Sequence, residues 1–358
     1  MTRLLTIGIP TYNRGRSLQK MLDCLSKQIL SYEKNIEVLI SDNCSTDITS
    51  EVISDWVACQ CSDLLVKHVR QIENIGVSRN LVSLLYESTS DYFIFLGDDD
   101  KLDSDGFSKL ISLLTEKRPV AVIQARWEGM LRSSRIGSIG FDDALSLFYE
   151  YGNAWAGVID RDAAVRAIGS RTLRQEIELI VWPQTVFGYL AMFDLSPLRS
   201  IEAVDFEIGR PLTESLNLTN KTYWLRSLAD LLRAAALIQR TTGNALIRRR
   251  FISLKSQGLA IHIKAIYWYT LIDCDRSSTA PIRNLLSREF GFRGRLCALL
   301  LSLDSSPVFL RLISSLVYRL VYARSGKTLA SKITEARTKR RAEIASKDRS
   351  GKRLGDWF

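Results

Sequence analysis

Between Leu4 and about Gln124, short apolar runs alternate with windows of helical periodicity, and this alternation leaves few folds open. The runs are Leu4–Ile9, Glu37–Ser41, Leu64–Val69, Tyr92–Leu96 and Val120–Gln124. Leu18, Met21, Leu22, Leu25 and Ile29 recur at helical spacing between the first two, and Val77, Leu81, Leu84 and Leu85 do so before the fourth. Strands separated by helices require right-handed crossovers, which place helices on both faces of a mostly parallel sheet. The expected fold class is therefore α/β. In such sheets ligands bind beyond the carboxyl ends of the strands, so the loops after Ile9, Ile40 and Leu96 are where chemistry is expected.

The rest of the chain reads differently. One more strand is expected at Ala156–Ile159, and from Thr222 onward the pattern is largely helical, with long apolar windows at Ala229–Gln239, Phe251–Leu271 and Leu296–Tyr322. Arg295, Asp304, Arg311 and Arg319 interrupt the last of these, so no bilayer-spanning helix is expected there. Residues 216–358 hold 27 Lys and Arg against 9 Asp and Glu, a balance of +18, while residues 1–215 hold 22 against 30, a balance of −8. A basic half of this kind implies an anionic surface as partner, either phospholipid or nucleic acid. His262 and the Tyr267, Trp268 and Tyr269 cluster fall in this half. Packing accounts for the histidine, and either packing or a membrane interface for the aromatics. With 358 residues and 46% apolar content, the chain has material for a large core and either two domains or one with an appendage. The six cysteines show no CxxC spacing and have only His68 and His262 as potential co-ligands, which fits reduced thiols rather than zinc or a disulfide frame. No secretory leader pattern is read at Met1, and a cytoplasmic location is expected.

Three loops stand out for their chemistry. After the first run comes Pro10-Thr11-Tyr12-Asn13-Arg14, whose aromatic ring suits nucleobase stacking and whose polar groups suit ribose or phosphate; an ordinary turn into the next helix explains it equally well. After the second run, Ser41-Asp42-Asn43-Cys44-Ser45-Thr46-Asp47 places Asp42 at a strand end, suited to accept from a base. Ser45 to Asp47 read as a turn and helix cap. Glu73-Asn74-Ile75-Gly76-Val77-Ser78-Arg79-Asn80 opens a helix with Arg79 in its first turn, where a cation faces either solvent or a diphosphate.

Leu96-Gly97-Asp98-Asp99-Asp100 carries the most information. Three adjacent carboxylates at the end of a buried strand repel one another, and a hard divalent cation or sugar hydroxyls would relieve the repulsion. Asp103 to Asp105 are accounted for as a helix N-cap, but three acids in a row ahead of them are not.

Taken together, IPTYNR at Ile9–Arg14, SDNCSTD at Ser41–Asp47, ENIGVSRN at Glu73–Asn80 and FLGDDD at Phe95–Asp100 resemble the family 2 glycosyltransferases, over about Leu4 to Leu114. The resemblance implies a GT-A fold and a nucleotide-sugar donor held with Mg²⁺ or Mn²⁺. It implies that Thr11, Tyr12 and Arg14 contact the nucleotide, that Asp42 binds the base, that Arg79 lies near base or phosphates, and that Asp98 to Asp100 stand where the family keeps its metal and ribose motif, with Asp98 on the donor and Asp99 or Asp100 as the metal ligand. Gly97 departs from the family pattern, where an Asp is common, so the metal motif is shifted. The GDDD form is similar to a subgroup that includes abequosyltransferase-like enzymes of surface-polysaccharide assembly. Members commonly take their catalytic base from an acidic pair in the acceptor half; here Gln184 stands at that place, leaving Glu178, or Glu176, as the candidate base. Trp155 and Trp182 are candidate sugar platforms or core residues.

The expected organisation is a GT-A domain over residues 1–217, with a nucleotide part to about 125 and an acceptor-side part over 126–217. A helical, membrane-surface region over 218–326 and a basic tail over 327–358 follow. The expected acceptor is a glycan or lipid-linked glycan, with the protein peripheral on the cytoplasmic face and no nucleic acid partner. Two rivals remain. A sugar-nucleotide nucleotidyltransferase would carry a Gly-rich basic loop after the first strand, which IPTYNR is not; a nucleic-acid-binding protein built on the basic half would leave the acidic triplet unexplained.

Overall fold

A computed structural model describes residues 2–60, 63–127, 130–131, 135–141, 143–144, 157–180, 183–193, 199–211 and 237. Within them an eight-stranded sheet has the order β3-β2-β1-β4-β10-β6-β11-β9. Its members are β1 (Leu5–Thr11), β2 (Ile36–Asp42), β3 (Leu65–Arg70), β4 (Tyr92–Phe95), β6 (Ala121–Gln124), β9 (Gly137–Ile139), β10 (Gly157–Asp160) and β11 (Ile201–Val204). Strands β1 to β4 pair in parallel, and β11 runs parallel to β6. Strand β10 is antiparallel to both β4 and β6, and β9 is antiparallel to β11. The mostly parallel α/β sheet expected from the sequence is present, with every anticipated strand in place. The inserted antiparallel β10 joins the parallel group β1 to β4 to the pair β6 and β11.

Two cores follow from the period-two alternation of the strands. Tyr92, Ile94 and Leu96 point to the same side as Leu5, Ile7, Ile9, Val38 and Ile40, and are covered by Leu18, Met21, Leu22 and Leu25 of α1 (Gly15–Ile29), Ile53 and Trp56 of α2 (Thr49–Ala58), and Phe107 and Leu110 of α4 (Ser104–Lys117). Phe93 and Phe95 point to the other side, with Leu81, Leu84 and Leu85 of α3 (Val77–Glu87), Ala163 and Ala164 of α5 (Arg161–Ile168), and Val186, Phe187 and Leu190 of α7 (Pro183–Phe193). A short helix, α6 (Arg171–Ile177), lies between α5 and α7 in the chain. Three helix starts are capped by side chains: Asp103 accepts from Gly106 N, Asp160 from Ala163 N and Ser170 from Leu173 N.

A separate two-stranded ribbon pairs β5 (Asp100–Leu102) with β12 (Gly209–Pro211), so the last aspartate of the triplet already belongs to a strand. Gln28 of α1 accepts from Leu102 N at 3.2 Å and its amide nitrogen donates to Leu102 O, which ties that ribbon to the first helix. A further pair, β7 (Arg126–Trp127) and β8 (Met130–Leu131), is antiparallel. The expected regions 218–326 and 327–358, with His262 and the Tyr267–Tyr269 cluster, lie outside the described residues apart from Leu237, which is buried in the second core. Trp155 and Trp182 also lie outside them.

The carboxylate of Glu37 is fully buried in the sheet. Glu37 of β2 accepts from Thr6 Oγ1 at 2.5 Å and Thr89 N at 2.8 Å, and pairs with Lys67 Nζ at 2.6 Å. Burial by itself would raise its pKa, but the bonds from Lys67, Thr6 and Thr89 outweigh it and hold the carboxyl below its ordinary value. A depressed folded pKa contributes stability that is fully present above the unfolded value of 4.5 and is lost as pH falls through the folded pKa. Glu37→Gln is therefore expected to lower stability by about 1–3 kcal/mol near neutral pH, because a buried amide cannot accept from all these donors. In urea titrations the gap between the two proteins should close as the pH drops below that unfolded value. A gap that stays constant into the acid range would show that the charge contributes nothing.

Candidate active site

The carboxyl ends of β1, β2 and β4 lie side by side. Thr11 pairs in register with Asp42, and Leu96 N donates to Gly8 O at 2.9 Å as β4 runs out. Two loops that leave these strands are sewn together by side chains. Asn13, at φ 51°, accepts from Thr46 N at 2.8 Å, and its own N–H donates to Ser45 Oγ at 2.9 Å. Asp47 accepts from Gly15 N at 3.1 Å and Thr49 N at 3.0 Å, so a single carboxylate serves the starts of both α1 and α2. The cap role expected around Ser45 to Asp47 is thus present and spans two helices. Nothing local to Asn13 marks this role, because its partners lie more than thirty positions away.

This stitched turn presents Thr11 and Arg14 to the acidic triplet. Thr11 Oγ1 donates to Asp98 Oδ2 at 2.9 Å. Arg14 Nε meets Asp98 Oδ1 at 2.9 Å, and its Nη2 donates to Asp99. Arg14, expected to face the donor, thus bridges two of the three aspartates. Asp98 is 7% exposed, and burial pushes its carboxyl up to about 7 against the pull of Arg14, with Asp99 adding to the rise. Asp100 is equally buried; burial and then Asp99 push it to about 6, opposed by a bond from Gly97 N at 3.1 Å. Tyr12 is half-buried beside these groups in the chain.

Gly97 explains how two of these acids share one place. A Cβ there would lie 2.6 Å from Asp100 Oδ2 and 3.2 Å from Asp99 Oδ1. The space that every other residue type would fill holds two converging carboxylates, and the departure from Asp at this position is what makes the convergence possible. Oxygen donors drawn together at a strand end, with one partly exposed, fit a hard cation that keeps waters and shares phosphate oxygens. Among the described residues no group of three His, Cys, Asp or Glu forms a closed metal cage. Magnesium-type sites built from one or two carboxylates plus a bound diphosphate need none.

Asp42 is placed differently from a free base-reading group. It is fully buried, and its oxygens accept from Ser45 N at 2.9 Å and Ser50 Oγ at 2.8 Å, with Arg70 Nε at 3.7 Å. It therefore organises the loop that carries it. Arg79 and Glu178 are brought together: Arg79 Nε lies 3.7 Å from Glu178 Oε2, while Arg174 Nε holds Oε1 at 3.0 Å and stacks 4.1 Å over the Tyr86 ring. Glu178, the candidate base, sits between two guanidinium groups and links α6 to α3; Glu176, two residues earlier, is half-buried. Gln184 is buried in the first turn of α7.

Residues 6–154 match the family described as Glycosyl transferase family 2. Abequosyltransferase RfbV of Salmonella typhimurium is 29% identical over 149 residues, which are 40% of this chain and 44% of that protein. The matched segment thus spans less than half of that relative's length. Among solved structures, S. aureus TarS 1-349 in complex with UDP-GlcNAc superposes with a TM-score of 0.57 at 14% identity, over 84% of this chain and 87% of that one. The mannosyltransferase PcManGT from Pyrobaculum calidifontis, in complex with GDP-Man and Mn2+, gives 0.53 at 14% identity, over 91% and 89%. Those two likenesses show the fold, that of GT-A glycosyltransferases. The acidic strand end, the stitched loops and the family match fall on one segment, residues 6–154, which is similar to the glycosyl transferase family 2 domain.

Proposed function

We propose that the chain is a metal-dependent glycosyltransferase that moves a sugar from a nucleoside diphosphate donor to a hydroxyl of a glycan in surface-polysaccharide assembly. The observation that carries this reading is the convergence of Asp99 and Asp100 in the space above Gly97, beside Asp98 held by Thr11 and Arg14. Asp99 and Asp100 would hold Mg²⁺ or Mn²⁺, which when bound neutralises the diphosphate as it leaves. Thr11, Tyr12 and Asp98 would take the nucleoside, and Arg14 would turn from the aspartates toward phosphate once the cation supplies the charge they need. Asp42 would act chiefly by shaping the base-side loop, with one carboxylate still able to accept a further donor. Arg79 lies at the same rim. In the transfer, the bond between the anomeric carbon and the phosphate oxygen breaks as the acceptor oxygen bonds to that carbon. The acceptor proton goes to a base, for which Glu178 is the candidate in this segment. That TarS and PcManGT were solved with UDP-GlcNAc and GDP-Man supports a nucleotide sugar in kind, and the Mn2+ of the latter supports a divalent metal.

The proposed organisation is a transferase domain over 1–217 followed by a basic half. The +18 balance after residue 215 supports an anionic membrane surface on the cytoplasmic side and a lipid-linked acceptor. Among the described residues no helix is long and apolar enough to cross a membrane.

Thermal unfolding with a panel of nucleoside diphosphates is expected to show stabilisation that requires Mn²⁺ or Mg²⁺. Asp99→Asn and Asp100→Asn should each remove the metal-dependent part and cut nucleotide-sugar turnover about 100-fold or more, with the fold intact or slightly stabilised. Full turnover in both variants would take the triplet out of the mechanism. In vesicle sedimentation at low salt, the full chain is expected to pellet with phosphatidylserine-containing liposomes and to stay in solution with neutral ones. Equal recovery in both supernatants would refute the membrane assignment.

A further inference from the structure

Gln184 is 4% exposed, and neither its Nε2 nor its Oε1 finds a hydrogen-bond partner among the described residues. A buried amide with both donor and acceptor unmet among the described residues is costly, and the hydroxyls of a bound ligand would satisfy both. Two tethers locate it. Six residues earlier, Glu178 pairs with Arg79 in the first turn of α3, and that turn is locked to the carboxyl end of β2, where Ser41 Oγ donates to Asn80 Oδ1 at 2.5 Å and Asn80 Nδ2 donates to Ser41 O at 3.1 Å. Three residues later, on the same helix face, Phe187 stacks on Phe95 with ring centroids 6.2 Å apart, and Phe95 leads through Leu96 into Gly97 and Asp98. Gln184 is thus bracketed by the two strand ends that carry Asp42 and the acidic triplet.

From this we infer that Gln184 is a sugar-binding residue whose amide donates to one hydroxyl of a pyranose ring and accepts from its neighbour. The inference rests on the glycosyltransferase reading and extends it to the sugar itself, whether the one transferred or the one that accepts. A side-chain amide neither gains nor loses a proton near neutral pH, so it orients a hydroxyl without serving as the base. A site built to pair sugar hydroxyls discriminates strongly against sugars that lack them, because its own buried polar atoms are then left unpaired.

The test is thermal unfolding of the full chain as wild type, Gln184→Leu and Gln184→Met, each alone, with UDP or GDP and Mn²⁺, with UDP-GlcNAc or GDP-Man and Mn²⁺, and with the nucleoside diphosphate, Mn²⁺ and methyl glycosides. The expected result is that both variants alone melt at or a few degrees above the wild type. They should respond to the diphosphate as the wild type does and lose the added sugar-dependent stabilisation, with sugar affinity weakened about tenfold or more. Loss in the nucleotide-sugar arm assigns the hydroxyl to the donor; loss in the glycoside arm assigns it to the acceptor. Variants that keep the sugar increment, or that both melt lower because the amide is structural, would overturn the inference. A wild type that responds to the diphosphate but to no sugar would overturn it while leaving the transferase reading standing. A wild type that responds to no nucleotide would overturn both.

Discussion

Arg14 bridging Asp98 and Asp99 is the interaction on which the rest of the site depends. Like charges about 4 Å apart repel by about 4 kcal/mol at an effective dielectric near 20, and burial adds the cost of stripping water from each. Three acids in succession could not be held at a sheet end on those terms without a cation. The chain supplies one from position 14, and the remaining strain appears as carboxyls raised to about 7 for Asp98 and about 6 for Asp100. A site in this state is short of positive charge, which a divalent ion would supply.

Much of the surrounding structure serves to bring position 14 to position 98. Asn13 in the left-handed region, Thr46 and Ser45 across from it, and Asp47 under both helix starts fix the turn that aims the guanidinium. The ribbon of β5 and β12 fixes the other side, since Asp100 pairs in register with Pro211 and Leu102 is held at both backbone atoms by Gln28. Asp42, buried among Ser45 and Ser50, adds rigidity between these two sides.

The fold was legible because period-two and helical patterns report directly on which face is buried. Leu18, Met21, Leu22 and Leu25 lie where their spacing implied, as do the alternating Tyr92 to Leu96. The antiparallel β10 was legible as a strand but not in direction, because an apolar run carries no polarity. The site was legible in its residue types and strand-end placement, as with Thr11, Arg14 and Asp98 to Asp100. It was not legible in its pairings: nothing local marks Arg14 as the partner of acids 84 and 85 positions on, or Asp42 as a loop anchor. Glu178 shows the same limit, since its engagement with Arg79 and Arg174 depends on how α6 meets α3. Gln184 was noticed as a missing acid, whereas its burial without partners is visible only in three dimensions.

The account makes Arg14 the internal charge that stands in until metal and diphosphate arrive. Titration of Mn²⁺ alone, followed by its electron paramagnetic resonance signal, tests this most directly on the wild type and Arg14→Met. The account predicts weak binding to the wild type that strengthens when a nucleoside diphosphate is added, and binding to Arg14→Met without nucleotide that is about tenfold tighter, since the triplet has then lost its cation. Equal affinity of the two proteins for Mn²⁺ alone would contradict it.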